Sequence, residues 1–294
     1  MDTRQLETLL AVAHHGGFAA AAQAVNLTAS AVSQQMAALE NEVDALLFDR
    51  SRRPPALTVK GAEMVRSARA ILNIVSQTKE TVSDEQMRGT LAFGTLRTGA
   101  NSVVPNALAT LQSTYPNLNF HLRVGKSEDL MSEVVTGQLD AALVGDHVAV
   151  PASLTWIPVI NEPLIVLAPD GASGLTLDAL AREVPFIRYR TEVTLARLIH
   201  TEIARLGVPL RQSVSVNTMA AVVGCVKAGL GFSVVPQIAL QDMNTAPLSW
   251  FHLGTPPVHR RLGIAQRIQS GREDVLKTLA NALSTYDHQH DYHE

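Results

Sequence analysis

The sequence predicts an α+β multidomain fold with three parts: a winged helix-turn-helix over residues 1–58, a linker helix over 59–88, and a two-lobed α/β domain over 89–294. Three patterns lead to this prediction. Apolar residues recur at helical spacing in the first 60 residues, a longer amphipathic stretch follows, and short apolar runs then alternate with helical segments. The length of 294 residues and a hydrophobic share of 46% allow each part a buried core.

Composition excludes several classes of protein. Charged residues make up 17% of the chain, which is too few for a disordered polymer. No apolar run approaches the roughly 18 residues that a membrane span requires, and the N-terminus lacks the apolar core of a signal peptide. The single cysteine, Cys225, excludes an internal disulfide framework. Together these features predict a cytoplasmic protein with no membrane partner.

The first 45 residues predict three helices. Helical spacing of apolar residues predicts a first helix that ends at Gly16-Gly17, where glycine favours a C-cap. A short alanine-rich helix and a tight break follow, and Thr28 is a good N-cap for the third helix. The inward-facing positions of that helix are Val32, Met36, Leu39 and Val43. The opposite face carries short neutral side chains near its start: Thr28, Ala29, Ser30, Ser33 and Gln34.

This polar face suits a DNA recognition helix, because small side chains let a helix enter the major groove and the Gln34 amide can bond adenine. Downstream, a strand-like step at residues 46–48 and a basic loop stiffened by Pro54-Pro55 predict a wing that contacts phosphates. The DNA-binding cations of this loop are Arg50, Arg52 and Arg53. The positive charge is local, since residues 1–60 contain five Lys/Arg and six Asp/Glu. The alternatives are an ordinary exposed helix face and a solvated turn.

A seam of apolar residues runs along the predicted linker helix. Val65, Ala68, Leu72 and Val75 follow the three-four spacing of a coiled coil, with Lys79 as a polar exception. This spacing predicts that two linker helices pair in a dimer. The alternative is one amphipathic helix that packs on its own domain. Residues 88–90 form the predicted hinge into the next domain.

The rest of the chain alternates strands and helices. Strands at residues 91–96, 119–125 and 139–145, with helices between them, predict a parallel βαβαβ unit with helices on both faces. A crossing segment at 155–169 leads into a second unit of the same kind. The predicted lobe I spans about 90–161 and 268–294, and lobe II about 162–267.

Ligands of such sheets bind beyond the carboxyl ends of the strands, where loops begin helices. The candidate ligand-binding residues are Thr98, Ala100, Ser127 and Asp146 in lobe I and Arg190, Thr191 and Thr218 in lobe II. Hydroxyls, helix N-termini and an arginine fork predict a small polar ligand that carries a carboxylate. Alternation along the strand predicts that Arg188 and Arg190 point to one face and Tyr189 to the other. Arg97 is a further candidate for the arginine that binds the carboxylate, less favoured than these two. The alternatives are structural helix caps and a surface ion pair.

Two stretches of the N-terminal region resemble the LysR-type transcriptional regulators: GGFAAAAQAVNLTASAVSQQMAALENEV and LFDRSRRPPALTVKG. A third stretch, AVVGCVKAGLGFSVVP, resembles their periplasmic-binding-protein-like effector domain more loosely. The resemblance implies double-stranded promoter DNA, a small-molecule effector and a homodimer or homotetramer, with RNA polymerase as a further candidate partner and no cofactor. It also matches Thr98 and Ser127 to effector-contacting hydroxyl positions. Ala29 departs from the glutamine that the family often carries, and Pro54-Pro55 makes the wing unusual, so the operator sequence stays open.

Other functions have little support in the sequence. An enzyme is disfavoured because the chain contains no GxSxG, Walker, HExxH or CxxC motif. A plain solute-binding protein does not explain residues 1–60. Cys225 lies in an apolar helical run and is interpreted as a core thiol, with a redox sensor as the alternative. The histidines at 288, 290 and 293 are interpreted as a polar terminus and not as a metal site.

Overall fold

A computed structural model of the chain describes residues 1–52, 54–82, 89–101, 103–146, 149–172, 176–240 and 248–289. The chain forms two compact units, one of Met1–Gly89 with Glu133–Leu139 and one of Thr90–Ser132 with Asp140–Glu294. In the described part, no helix has the length and hydropathy needed to cross a membrane. The fold class predicted from the sequence is confirmed.

The N-terminal unit is built from helices and a small hairpin. Its elements are α1 (Thr3–His15), α2 (Phe18–Ala24), α3 (Ala29–Glu42), β1 (Phe48–Asp49), β2 (Ala56–Leu57) and α4 (Val59–Val82). The predicted helix ends are confirmed: Gly16 closes α1 at a φ of 72°, and the Thr28 hydroxyl accepts the Ala31 N–H at the start of α3. Strands β1 and β2 pair antiparallel and form the wing, which comprises residues 48–57.

The core of this unit includes part of the linker helix. Val65 is 8% exposed and Ala68 is fully buried, and both pack in the same cluster as the helix-turn-helix core. Gly61 permits this packing, because a Cβ there would clash with the Leu47 carbonyl. The prediction that Val65 and Ala68 form a dimer seam is therefore wrong, because burial in their own core removes them from any partner. Residues 83–88 of the predicted linker lie outside the described residues.

Lobe I of the C-terminal unit contains the predicted βαβαβ order. Its elements are β3 (Gly89–Leu96), α5 (Val103–Thr114), β4 (Leu118–Gly125), α6 (Ser127–Val135), β5 (Ala141–Gly145), β6 (Leu154–Pro169), β11 (His259–Arg267) and α10 (Glu273–Gln289). Strand β3 pairs with β5 in parallel, and the strand order is β10 (Leu248–His252)-β6-β11-β5-β3-β4, with β9 (Ser233–Pro236) also on β6. Strand β11 pairs antiparallel with β5. Residues 259–267 therefore belong to lobe I, which corrects the predicted end of lobe II at 267.

Lobe II is a smaller α/β layer that is reached through the long strand β6. Its elements are α7 (Leu177–Glu183), β7 (Phe186–Tyr189), α8 (Thr194–Leu206), β8 (Gln212–Val216), α9 (Met219–Lys227), β9 (Ser233–Pro236) and β10 (Leu248–His252), with a 3₁₀ turn at Gln237–Leu240. Strands β7 and β8 pair in parallel around the α8 crossover. Cys225 is half-buried and packs against the core of this lobe.

Candidate DNA interface and ligand cleft

The polar face of α3 is available for contact. Thr28, Ala29, Ser30 and Gln34 are exposed and Ser33 is half-buried. On the opposite face, Val32, Met36 and Leu39 are fully buried in the core of the unit. The 3.6-residue period thus divides one helix into an anchoring face and a face of small hydroxyl and amide groups.

A buried carboxylate fixes the wing to α3. Glu40 is 6% exposed, and its Oε1 accepts the backbone N–H groups of Leu47 at 2.8 Å and Phe48 at 3.0 Å. Its Oε2 accepts a hydrogen bond from Arg50 Nη2 at 2.9 Å. Arg50 also lies over the Phe18 ring, with its guanidinium carbon 6.0 Å from the ring centroid. Arg50 was predicted to bind DNA; one of its guanidinium nitrogens holds the wing in place, and its side chain remains 46% exposed.

Arg52 is more exposed than Arg50, the other cation of the wing that the structure describes. Its side chain is 73% exposed, and its only described ion pair is with Asp49 at 3.5 Å. Hydrogen bonds from Ser51, and the charge of Arg52 after them, lower the pKa of Asp49, so this partner is ionised at neutral pH. An exposed ion pair of this length is weak, so Arg52 can release Asp49 and bind a phosphate instead. Arg53 lies outside the described residues.

Two adjoining cavities of about 240 and 360 Å³ lie where the lobes of the C-terminal unit face each other. They share the lining residues Arg97, Thr98, Val124 and Tyr189. The smaller cavity extends toward the first turns of α6 and α8, and the larger toward the first turn of α9. The cleft therefore lies at the carboxyl ends of β3, β4 and β7, as the sequence predicts.

Four of the seven predicted effector residues line this cleft: Thr98, Ala100, Ser127 and Thr218. Thr218 also caps α9 through its hydroxyl, which accepts the Ala221 N–H at 3.2 Å. Asp146, Arg190 and Thr191 line neither cavity. Asp146 instead accepts a hydrogen bond from Arg261 Nε at 2.8 Å.

Strand β7 directs Tyr189 into the cleft, whereas the sequence analysis predicted that the opposite face, with Arg190, would point there. The alternation of side chains is as expected, but Tyr189 lines both cavities, while Arg188 bonds His200 on α8 and Arg190 is exposed. Arg97, which ranked lower as a candidate, lines both cavities. Burial raises the pKa of the Tyr189 phenol, and the charges of Arg97 and Arg260 oppose that shift.

A buried ion pair missed by the sequence analysis forms the floor of the cleft. Arg260 and Glu162 have side chains only 2% and 3% exposed, and Arg260 Nε donates to Glu162 Oε1 at 2.5 Å. Arg260 Nη2 donates to the Thr98 hydroxyl at 3.0 Å, while Glu162 Oε2 accepts the Ile238 N–H at 3.0 Å. A signal was present: Arg260 shares the inward period of β11 with Leu262 and Ile264, so an arginine stood on a buried strand face.

Charged side chains cross the mouth of the cleft. Lys126, before α6, lies 3.8 Å from Glu192 of lobe II, and Glu128 lies 3.9 Å from Arg197 on α8. Both pairs are exposed and contribute little stability. Among the described residues, no group of three or more His, Cys, Asp or Glu side chains is placed to hold a metal ion.

Comparison with known families matches both units. The family model described as "Bacterial regulatory helix-turn-helix protein, lysR family" matches residues 3–62, and the "LysR substrate binding domain" matches residues 84–286. A probable RuBisCO transcriptional regulator from Cyanophora paradoxa is 26% identical over 88% of this chain and 84% of its own length. A probable hydrogen peroxide-inducible genes activator from Mycobacterium avium is 28% identical over 95% of this chain and 92% of its own length.

Solved structures share the fold over nearly the whole chain. A full-length OxyR variant from Pseudomonas aeruginosa aligns with a TM-score of 0.74 at 21% identity, covering 96% of this chain and 94% of that one. Full-length CbnR complexed with its target DNA aligns with a TM-score of 0.71 at 19% identity, covering 97% and 99%. At these identities the likeness concerns the fold alone.

Proposed function

We propose that a small carboxylate bound in the cleft controls DNA binding by this chain, which belongs to the LysR family of DNA-binding transcriptional regulators. As a member of this family, the chain is a transcriptional regulator with an effector-binding domain. The observation that supports an anionic effector is that Arg97 and Arg260 line the same cavity, where Arg260 also donates a hydrogen bond to the Thr98 hydroxyl.

The cleft is lined by four cations, Arg97, Arg123, Lys126 and Arg260, and by two carboxylates, Glu128 and Asp129. Glu162 neutralises Arg260, and Glu192 lies near Lys126 at the mouth. Arg97 is exposed on both cavities, and no described carboxylate lies within ion-pair distance of it. A guanidinium in a partly enclosed, low-dielectric space favours a planar anion that accepts two hydrogen bonds.

The remaining groups suit the other atoms of such a ligand. The Thr98 hydroxyl accepts from Arg260 and keeps its own O–H to donate, and the Tyr189 phenol stays protonated. Leu96, Val193 and Leu262 form apolar wall next to these donors. This combination favours a compact metabolite with a carboxylate at one end and a short carbon skeleton.

A ligand that touches both lobes binds better when they are closed. Thr98 and Arg260 come from lobe I, and Tyr189 and Thr218 come from lobe II. The effector shifts the equilibrium between open and closed lobes only if it binds one of them more tightly, because equal affinity for both leaves the equilibrium unchanged. Such a shift would change the geometry between subunits. We place DNA binding on paired copies of the chain, because one near-neutral helix-turn-helix offers few phosphate contacts.

The test uses the full-length protein and a footprinted promoter fragment from beside its own gene. Small carboxylates and their neutral amides are compared for stabilisation of the protein and for their effect on the mobility shift. Arg97→Met should lower the affinity for the active carboxylate by about tenfold, since a charge-assisted contact is lost. The matched control is Arg211→Met, an exposed arginine outside both cavities. Equal responses to amide and carboxylate, or an unaffected Arg97→Met variant, would contradict the proposal.

A further inference from the structure

Strand β7 also borders a second cavity, which lies within lobe II. This cavity has a volume of about 340 Å³, opens widely to solvent, and is bordered by β7, the second half of α8 and the segment that leads into β8. It shares no lining residue with the cleft. Its lining residues are Phe186, Arg188, His200, Ile203, Ala204, Val208, Leu210 and Gln212. The volume lies within the range of about 300–1,000 Å³ that is usual for small-molecule sites.

An arginine and a histidine stand where a helix packs on a strand and apolar contact is the rule. Arg188 Nε lies 3.0 Å from His200 Nε2, and Arg188 Nη2 lies 3.3 Å from His200 Nδ1. Both side chains are half-buried. The surrounding wall is apolar, since Phe186 and Ile203 belong to the lobe core and Val208 and Leu210 pack against it.

The hydrogen bonds of this pair are incomplete. A guanidinium has five N–H donors and no acceptor, and a neutral imidazole has one acceptor nitrogen. Burial, and then the charge of Arg188, lower the pKa of His200, so the ring is neutral at pH 7. One ring nitrogen accepts a hydrogen bond from Arg188. The other ring nitrogen carries a hydrogen, so it cannot accept from the second Arg188 N–H group that lies near it. The two groups therefore present several donors and lack an acceptor to share.

The charge of Arg188 is also uncompensated. In the described part of the chain, no carboxylate lies within 4 Å of its guanidinium. A half-buried cation among apolar side chains is costly unless a counter-ion joins it. A carboxylate in the cavity supplies that charge and can accept from Arg188 and from the free imidazole N–H at once. The Gln212 side chain lines the same cavity and adds an amide N–H donor.

We infer that this cavity is a second ligand site, specific for a small monocarboxylate with an apolar body. The carboxylate lies against Arg188 and His200, and the apolar body against Phe186, Ile203 and Leu210. The site differs from the cleft in that no carboxylate is among its lining residues, whereas Glu128 and Asp129 line the cleft. It does not depend on the proposed function, because none of its residues lines the cleft.

The test is a fluorine NMR titration of the full-length protein with para-fluorophenylacetate, an aromatic monocarboxylate. It is carried out in an Arg97→Met background, so that binding in the cleft is weakened. We expect saturable binding that falls by about tenfold or more when Arg188→Met is added, since the charge-assisted contact is lost. The neutral para-fluorophenylacetamide should bind much more weakly. Arg211→Met is the control for loss of an exposed arginine.

Two further variants keep the result interpretable. His200→Gln removes the imidazole and preserves Arg188, and it should weaken the probe by a smaller factor. If Arg188→Met does not fold, as judged by circular dichroism and Tm, Arg188→Lys serves instead, and it should also weaken binding because the fork is lost. Undiminished binding in the Arg188 variant, equal binding of the amide, or no saturable binding in the Arg97→Met background would overturn the site. A loss confined to Arg97→Met would place the probe in the cleft alone.

Discussion

Two buried glutamates organise the two functional surfaces. Glu40 joins two backbone N–H groups of the wing to Arg50, and Glu162 joins the Ile238 N–H to Arg260. Burying a carboxylate costs several kcal/mol, roughly, unless charge and hydrogen bonds compensate it, and each glutamate here has both. Each pair therefore holds an arginine and a backbone segment in one arrangement beside a candidate binding surface.

Replacement of Glu40 is expected to loosen the wing. Glu40→Ala leaves the Leu47 and Phe48 N–H groups without an acceptor, which costs about 1–3 kcal/mol for each buried donor. Hydrogen exchange on the full chain should show protection of these two amides falling by about two orders of magnitude. Glu7→Ala, at an exposed position of α1, is the control and should leave both amides protected. Unchanged protection in Glu40→Ala would show that the wing is held by its apolar contacts.

Tyr189 is expected to make the C-terminal unit sensitive to alkali. Because burial raises its pKa above the ordinary value of 10.0, the phenol stabilises the fold fully below that value and the contribution is lost as pH rises through the folded pKa. As the pH rises above 10.0, the Tm of the wild type should therefore fall more steeply than that of Tyr189→Phe. Tyr115→Phe, which keeps Tyr189, should retain the wild-type slope. Parallel slopes in all three proteins would refute this account.

At the scale of elements, we expect α3 and the wing to contribute differently to DNA binding. The exposed start of α3 carries neutral groups that suit base edges, and the wing carries the open cation Arg52. Base contacts determine sequence preference, whereas phosphate contacts add affinity that does not depend on sequence. The two elements should therefore fail in different ways when they are altered.

Gln34→Ala should relax base preference at one position of the operator, at a cost of about 1–3 kcal/mol against the preferred base. Arg52→Ala should weaken binding to all sequences and reduce the salt dependence by about one phosphate contact. Fluorescence anisotropy on operator and scrambled duplexes over a range of salt concentrations distinguishes the two effects. Arg69→Ala, at an exposed position of α4, is the control. A change in base preference caused by Arg52→Ala would contradict this division.

At the scale of the whole molecule, the linker helix has two roles along its length. Its first half belongs to the core of the N-terminal unit through Val65 and Ala68. Farther along, Leu72 still packs against that core, Val75 is half-buried and Ile74 is 55% exposed. An exposed isoleucine beside a half-covered valine favours the part of α4 beyond Leu72 as the surface where two copies pair.

Pairing through this surface predicts a clear effect of one charge. Ile74→Asp should raise the dimer dissociation constant by about tenfold or more, because an unpaired charge in an apolar interface costs several kcal/mol. Sedimentation velocity across a concentration series measures the shift, and Arg69→Asp controls for added negative charge on α4. Val65→Asp should instead unfold the N-terminal unit. An Ile74→Asp variant with an unchanged oligomeric state would exclude this surface.

The sequence alone was sufficient for those features that arise within one segment of chain. Helix period, the Gly16 and Thr28 caps, the βαβαβ order and the polar face of α3 depend on neighbours a few residues apart, so local pattern reveals them. The tertiary structure decided which distant residues meet. Only the packing of α4 showed that Val65 and Ala68 are internal, because a seam facing a partner and a seam facing the chain's own core have the same spacing. Likewise, alternation along β7 predicted two faces, but only the placement of α8 and lobe I showed that Tyr189 faces the cleft. Arg260 and Glu162 lie 98 residues apart and form a pair because β11 returns to lie against β6, a pairing that no local pattern specifies.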